Sequence, residues 1–124
     1  MDKQSLKKRT KDFGLRVIKM PDSLPKTPAG RAVANQIVRS ATSVGANYRA
    51  ACRGRSKAEF VAKLGIVIEE ADECCYWLEI IIESGMIKEK LVSELHKEAN
   101  ELTAIFIVSA KTASIKNQQS KIGN

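Results

Sequence analysis

The sequence predicts an all-α protein, an antiparallel up-down four-helix bundle. Three observations carry this. Apolar residues recur at helical spacing through four segments. Proline or glycine punctuates the short connectors between them. Aromatic residues are only 5% of a chain that is 44% hydrophobic, so the apolar content rests on Ala, Ile, Leu and Val. A period near 3.6 marks amphipathic helices, and short connectors oblige consecutive helices to lie antiparallel. A length of 124 residues suits one domain with its own core. That domain is expected over residues 1–116, with 117–124 a tail that has nothing to bury and frays. No convincing strand or internal repeat competes.

The first helix is expected from about Ser5 to Met20. Leu6, Phe13, Val17 and Met20 share one face, and Lys7, Lys8, Arg9, Lys11, Arg16 and Lys19 are solvated. Pro21, Pro25 and Pro28 then stop it, because each restricts the residue before it away from helix; Leu24 is expected to tuck against the core. Thr27 followed by Pro28 starts the second helix: threonine caps free amides and proline suits the first turn. Its stripe is Val33, Ile37, Ala41, Val44 and Tyr48, and it runs to about Arg53, where Gly54 is expected to end it in a left-handed conformation. Gly45 within it costs about 1 kcal/mol relative to alanine, which implies a close backbone contact.

Ser56-Lys57-Ala58-Glu59 is a capping box for the third helix, in which serine accepts from the amide three residues on and glutamate reaches back. Phe60, Leu64, Val67, Ile68, Ala71, Cys75, Leu78 and Ile82 follow, and Gly85 closes the segment. The fourth helix is expected from about Lys88 to Ile115, with Leu91, Leu95, Leu102, Ile105, Phe106 and Val108 as its apolar residues. Ile80, Ile81 and Ile82 in succession must point three ways around a helix, so one side is expected to meet another subunit, with Tyr76, Trp77 and Ile80 at the interface.

Several function classes find no support. The chain has one histidine, His96, and no CxxC pair among Cys52, Cys74 and Cys75, so no metal or other cofactor is expected. Adjacent Cys74 and Cys75 point apart on a helix and read as small buried thiols. A di-metal bundle needs Glu-x-x-His pairs, and His96 lacks that glutamate. Ser43, Ser56 and the cysteines have no histidine and acid set to activate them, and P-loop and GxGxxG motifs are absent from the sequence. No run of about 18 apolar residues exists to span a membrane, and the basic N-terminal stretch lacks the apolar segment of a signal peptide. A cytoplasmic, non-enzymatic protein is the expectation.

Charge is where function enters. Residues 1–20 carry seven basic and two acidic side chains and 21–57 carry seven and one, whereas 58–85 carry one and seven. The basic excess therefore belongs to the first two helices. Arg39, Arg49, Arg53, Arg55 and Lys57 concentrate toward the junction of the second and third helices, a pattern suited to holding the phosphates of RNA or DNA. The alternative is a protein-interaction scaffold, in which Glu69, Glu70, Asp72, Glu73, Glu79 and Glu83 pair with arginines on a neighbouring helix or subunit and the charges serve assembly.

The stretch from Asn35 to Ile81, with Gln36, Arg39, Ser40 and Ala41, then Ser43-Val44 and Ala46-Asn47, Arg55-Ser56, Glu59-Phe60, Leu64 and the acids from Glu69 to Glu73, resembles a bacterial family. It is the four-helix-bundle family first noticed as products of intervening sequences within large-subunit ribosomal RNA genes. The similarity runs from about Phe13 to Thr112. It implies a small up-down bundle, often a homopentamer arranged as a barrel, usually without an assigned biochemical function. A related branch is similar to the accessory variability proteins of diversity-generating retroelements, which implies a reverse transcriptase and nucleic acid as partners. The chain departs from the commonest pattern, having Asn47-Tyr48-Arg49-Ala50-Ala51 where many relatives read Asn-Ile-Ala-Glu-Gly. That exchange removes an acid and adds Arg49, making the junction more basic.

Overall fold

The computed structural model describes residues 1–122 and forms four helices: α1 (Lys3–Ile18), α2 (Pro28–Cys52), α3 (Lys57–Glu83) and α4 (Glu89–Ile122). They pack in the order α1, α2, α3, α4, and the weaker contact of α1 with α4 closes the bundle. The start of α1, the end of α2, the start of α3 and the late turns of α4 therefore meet at one end. That juxtaposition positions the candidate site.

Each boundary has a local cause. Asp2 accepts from the Ser5 amide at 2.7 Å and caps α1, which begins at Lys3, two residues before the expected start. The proline-rich connector contains a short 3-10 turn over Pro21–Ser23, and Leu24 is buried there at 4% exposure, as expected. Thr27 accepts from the Gly30 amide at 3.1 Å. Ser56 accepts from the Glu59 amide at 3.1 Å, but the Glu59 carboxylate reaches the Arg55 amide rather than that of Ser56. At the far end of α3, Gly85 adopts a φ of 76°. The Met86 amide bonds the Ile81 carbonyl and the Gly85 amide bonds that of Ile82, a Schellman closure that satisfies two end carbonyls.

Two expectations about helix ends fail. Gly54 does not take a left-handed conformation: α2 ends through Arg53, whose amide bonds back to the Ala50 carbonyl while the Gly54 amide bonds that of Ala51, in a tightened last turn. That turn needs no positive φ. The fourth helix does not stop at Ile115. It continues through the stretch expected to fray, which contains good helix formers and no proline or glycine before Gly123. Gly123 and Asn124 lie outside the described residues.

The stripes of the first two helices are buried as read, from Leu6, Phe13, Val17 and Met20 to Val33, Ile37, Ala41, Val44 and Tyr48. On α3, Leu64, Val67, Ala71, Cys75 and Leu78 are buried with Cys74 and Ile81, while Phe60, Ile68 and Ile82 are half-buried. The α4 stripe requires correction. Its seam is Val92, Leu95, Ala99, Leu102 and Phe106, whereas Leu91 and Val108 face out at 65% and 63% exposure. Leu95, Leu102 and Phe106 are buried as expected and Ile105 is half-buried, but Val92 and Ala99, which spacings of three and four identify, complete the seam in place of Leu91 and Val108. Complete burial of a Leu, Ile or Phe contributes about 1.5–3 kcal/mol, so this seam matters more than any surface pair.

The first two helices cross closely. A Cβ on Gly45 would stand 3.5 Å from the Thr10 and Lys11 backbone, and one on Gly14 would stand 3.5 Å from the Ala41 carbonyl oxygen. The close backbone contact expected at Gly45 is therefore present, with Gly14 as its counterpart. Buried polar groups are satisfied: Thr10 donates to the Leu6 carbonyl at 2.8 Å, and Cys74 Sγ bonds Ser40 Oγ at 3.4 Å.

Candidate nucleic-acid interface

The antiparallel order divides the five basic residues singled out in the sequence. Arg39 stands apart, ten residues before Arg49 on the same helix, or about 15 Å at 1.5 Å per residue. Its guanidinium reaches across to α3, bonding Glu70 at 3.1 Å and, more closely, Glu73. Those hydrogen bonds hold the Glu73 carboxyl below its ordinary value of 4.5 and raise the Arg39 guanidinium. The pairing expected between third-helix acids and a neighbouring arginine occurs here within the chain.

Arg49, Arg53, Arg55 and Lys57 lie around the α2–α3 junction, and among the described residues none forms an ion pair with a carboxylate of the chain. They do not all face one way. Arg49 borders a groove between α1 and α2 together with Lys7, Lys8 and Lys11, floored by Gly14 and Gly45. Arg53 is the exposed last residue of the α2 turn. Arg55 and Lys57 border a cavity of about 710 Å³ at the bundle's end, and Lys57 Nζ donates to Ser120 Oγ at 2.8 Å.

That cavity gathers residues the sequence alone leaves scattered. Lys3 arrives from α1 and Lys116 from α4 to join Arg55 and Lys57, and among the described residues no carboxylate lines the space. Its apolar lining includes buried Leu6 and Tyr48 and half-buried Phe60, with exposed Val108 at its edge. The Tyr48 ring lies 5.1 Å from Phe106, centroid to centroid. Burial, then a hydrogen bond with Cys52, pushes its phenol up, so it stays neutral. Lys3 Nζ sits 4.6 Å over the Phe60 ring, a cation held against an aromatic face. Lys3, Lys116 and Phe60 were missed as site residues. The strong positive charge of residues 1–20 was a signal for the first, but only the topology brings all three together.

The interface candidates also separate. Tyr76 points outward at 55% exposure. Trp77 and Ile80 are half-buried and pack against the core, and the Trp77 indole meets the Tyr76 ring edge-on at 5.1 Å. Leu15, Ile18, Leu91, Val108 and Ile115 add further exposed apolar surface. His96 lies beside Glu79, 3.6 Å between nearest atoms, and Asn100. Among the described residues no group of three or more His, Cys, Asp or Glu is placed to hold a metal ion, and no helix is long and apolar enough to cross a membrane.

The sequence profile of the 23S rRNA-intervening sequence proteins matches residues 2–108, most of the chain. The chain belongs to that family. A crystal structure of a protein of unknown function from Bacteroides thetaiotaomicron, assigned to the S23 ribosomal protein family, is similar at 31% identity and a TM-score of 0.81. The match covers 90% of this chain and 99% of that one. The family and fold implied by the sequence resemblance are thus both present. No curated protein matches the chain.

Proposed function

We propose that this family member is a non-enzymatic, self-assembling bundle that holds the phosphate backbone of RNA or DNA on its α2–α3 end. One observation carries the reading: among the described residues Arg49, Arg53, Arg55 and Lys57 have no carboxylate ion-pair partner, while Arg39 is engaged by Glu70 and Glu73. Unpaired cations gathered at one end attract a polyanion through counterion release, and guanidinium groups suit phosphate oxygens. Arg39 therefore contributes to joining α2 and α3 rather than to the nucleic-acid contact. Exposed Tyr76 supports assembly through the α3 face. The homopentamer and the reverse transcriptase partner implied by the resemblance are further parts of this proposal.

The test is binding of RNA and DNA by fluorescence anisotropy across a salt series. Alanine at Arg49, Arg53 and Arg55 together should flatten the slope of log affinity against log salt by about two to three, as for three lost phosphate contacts. Arg39→Ala should leave that slope unchanged. Absence of binding at low salt, or indifference to the triple change, sinks the reading. A scaffold reading is favoured by the outward acids Glu69, Asp72 and Glu83. It requires that the triple change alter the subunit number in light scattering while no nucleic acid binds.

A further inference from the structure

The end cavity differs from a plain basic patch because its cations surround an apolar, aromatic wall. Phosphate backbones alone need no such wall, since a flat cluster of lysines and arginines serves them. Here the exposed Arg55, Lys57 and Lys116 border the space, half-buried Phe60 lines it, and buried Leu6 and Tyr48 lie deepest. At about 710 Å³ the space falls within the range of small-molecule sites, which are typically mostly apolar with a few convergent polar groups. The rim demands negative charge, and the wall demands a flat or apolar body attached to it.

We infer that this cavity accepts a nucleoside monophosphate group, either free or as the unstacked end of a single strand, with the base against Phe60 and the phosphate at Arg55, Lys57 and Lys116. Every base has a π-face, so stacking on one aromatic ring is tolerant of sequence and adds binding that a duplex, with its bases already paired, cannot gain. Lys3 presently covers the Phe60 ring at 4.6 Å. Its flexible stem lets the ammonium move toward an arriving phosphate while the ring receives the base. Ser109 and Thr112 on α4 line the same space and offer hydroxyls to a sugar or a base edge. The inference rests on the proposed nucleic-acid role where the ligand is a strand end, and stands apart from it where the ligand is free.

The experiment titrates adenosine monophosphate, inorganic phosphate, a 5′-phosphorylated single-stranded oligonucleotide and a blunt duplex into the full chain. Calorimetry and amide chemical shifts are the readouts. The monophosphate is expected to bind roughly tenfold or more tighter than inorganic phosphate, with shifts centred on Phe60, Ser109 and Thr112. Phe60→Leu keeps the apolar wall and removes the ring; it should weaken the monophosphate and single-strand complexes roughly tenfold and leave the duplex unaffected. Thermal unfolding of the variant checks that the bundle is intact, and Lys116→Ala, at an exposed position, gives a second variant that should weaken the same ligands. Tighter binding of the oligonucleotide than of the free monophosphate identifies a strand end as the ligand; the reverse identifies the free nucleotide. Monophosphate binding no tighter than inorganic phosphate, or unchanged by both variants, overturns the inference. If duplex binding remains salt-dependent in that case, the proposed function survives without the pocket. Monophosphate binding without any polynucleotide binding supports the pocket and removes the proposed function.

Discussion

Replacing Gly30 and Gly65 separately by alanine should move stability in opposite directions. A Cβ built on Gly30 collides with the Pro25 carbonyl oxygen and would stand 2.9 Å from its carbonyl carbon and 3.3 Å from its Cβ. These are backbone atoms and a proline ring in a connector pinned by buried Leu24, so the obstacle cannot swing aside. Strain from overpacking costs about 1–3 kcal/mol, against a helical gain for alanine of about 0.5–1 kcal/mol that is smaller in the first turn. Gly30→Ala should therefore lose about 1–2 kcal/mol. Gly65, exposed in the middle of α3, has nothing within 4 Å of its would-be Cβ, so alanine there gains about 0.5–1 kcal/mol with no opposing term. At about 4 °C per kcal/mol for a domain of this size, Tm should fall by about 4–8 °C in the first variant and rise by about 2–4 °C in the second. Calorimetry or far-UV dichroism at fixed protein concentration reads both. A Gly30→Ala protein at least as stable as the wild type would refute the rigid close approach of the connector to α2.

Arg9 joins α1 to α4 through Glu98, at 2.7 and 2.5 Å, and Glu101 at 2.7 Å; Arg9→Ala should cost about 1–2 kcal/mol in chemical denaturation, and Arg9→Lys should recover only part of it because an ammonium cannot copy the forked geometry. In the native protein a thiol-reactive maleimide should label half-buried Cys52 first; Cys74, fully buried with its thiol pushed up to about 12 by burial, and buried Cys75 should react only after unfolding. Equal labelling of all three would contradict the packed core. Glu73 is held below 4.5 chiefly by its hydrogen bond from Arg39, so its contribution to stability is full above that value and is lost as pH falls through the lower folded value. The stability difference between wild type and Arg39→Ala should accordingly shrink as pH falls below 4.5 and through the lower folded value, and a difference that grows on acidification would show that the pairing is not what Arg39 supplies.

Much of the architecture was legible because it depends on neighbours in the chain. Thr27 and Ser56 accept from amides three residues ahead, and Gly85 closes α3 by its own φ; such interactions are complete within one helical turn. The α4 seam was less legible because Leu91 and Val92, or Phe106 and Val108, offer competing faces whose choice depends on the helices alongside. Gly54 misled for a similar reason: glycine permits a left-handed turn but does not require one. Nor could charge alone tell Arg39 from Arg49, since one faces Glu70 and Glu73 across α3 and the other borders α1.

The sequence by itself determined the four amphipathic helices, the caps at Thr27, Ser56 and Gly85, the antiparallel order and the gathering of basic charge in the first half of the chain. These follow from local conformational preference and apolar periodicity, which act over a few residues. Tertiary structure alone decided which cations are already engaged and which remain open, and it brought Lys3, Lys57, Phe60 and Lys116 to one cavity from three separate helices. Packing makes that decision because the rotation of each helix about its axis is fixed by the side chains it meets. A site assembled from the ends of several helices is consequently a property of the bundle rather than of any segment.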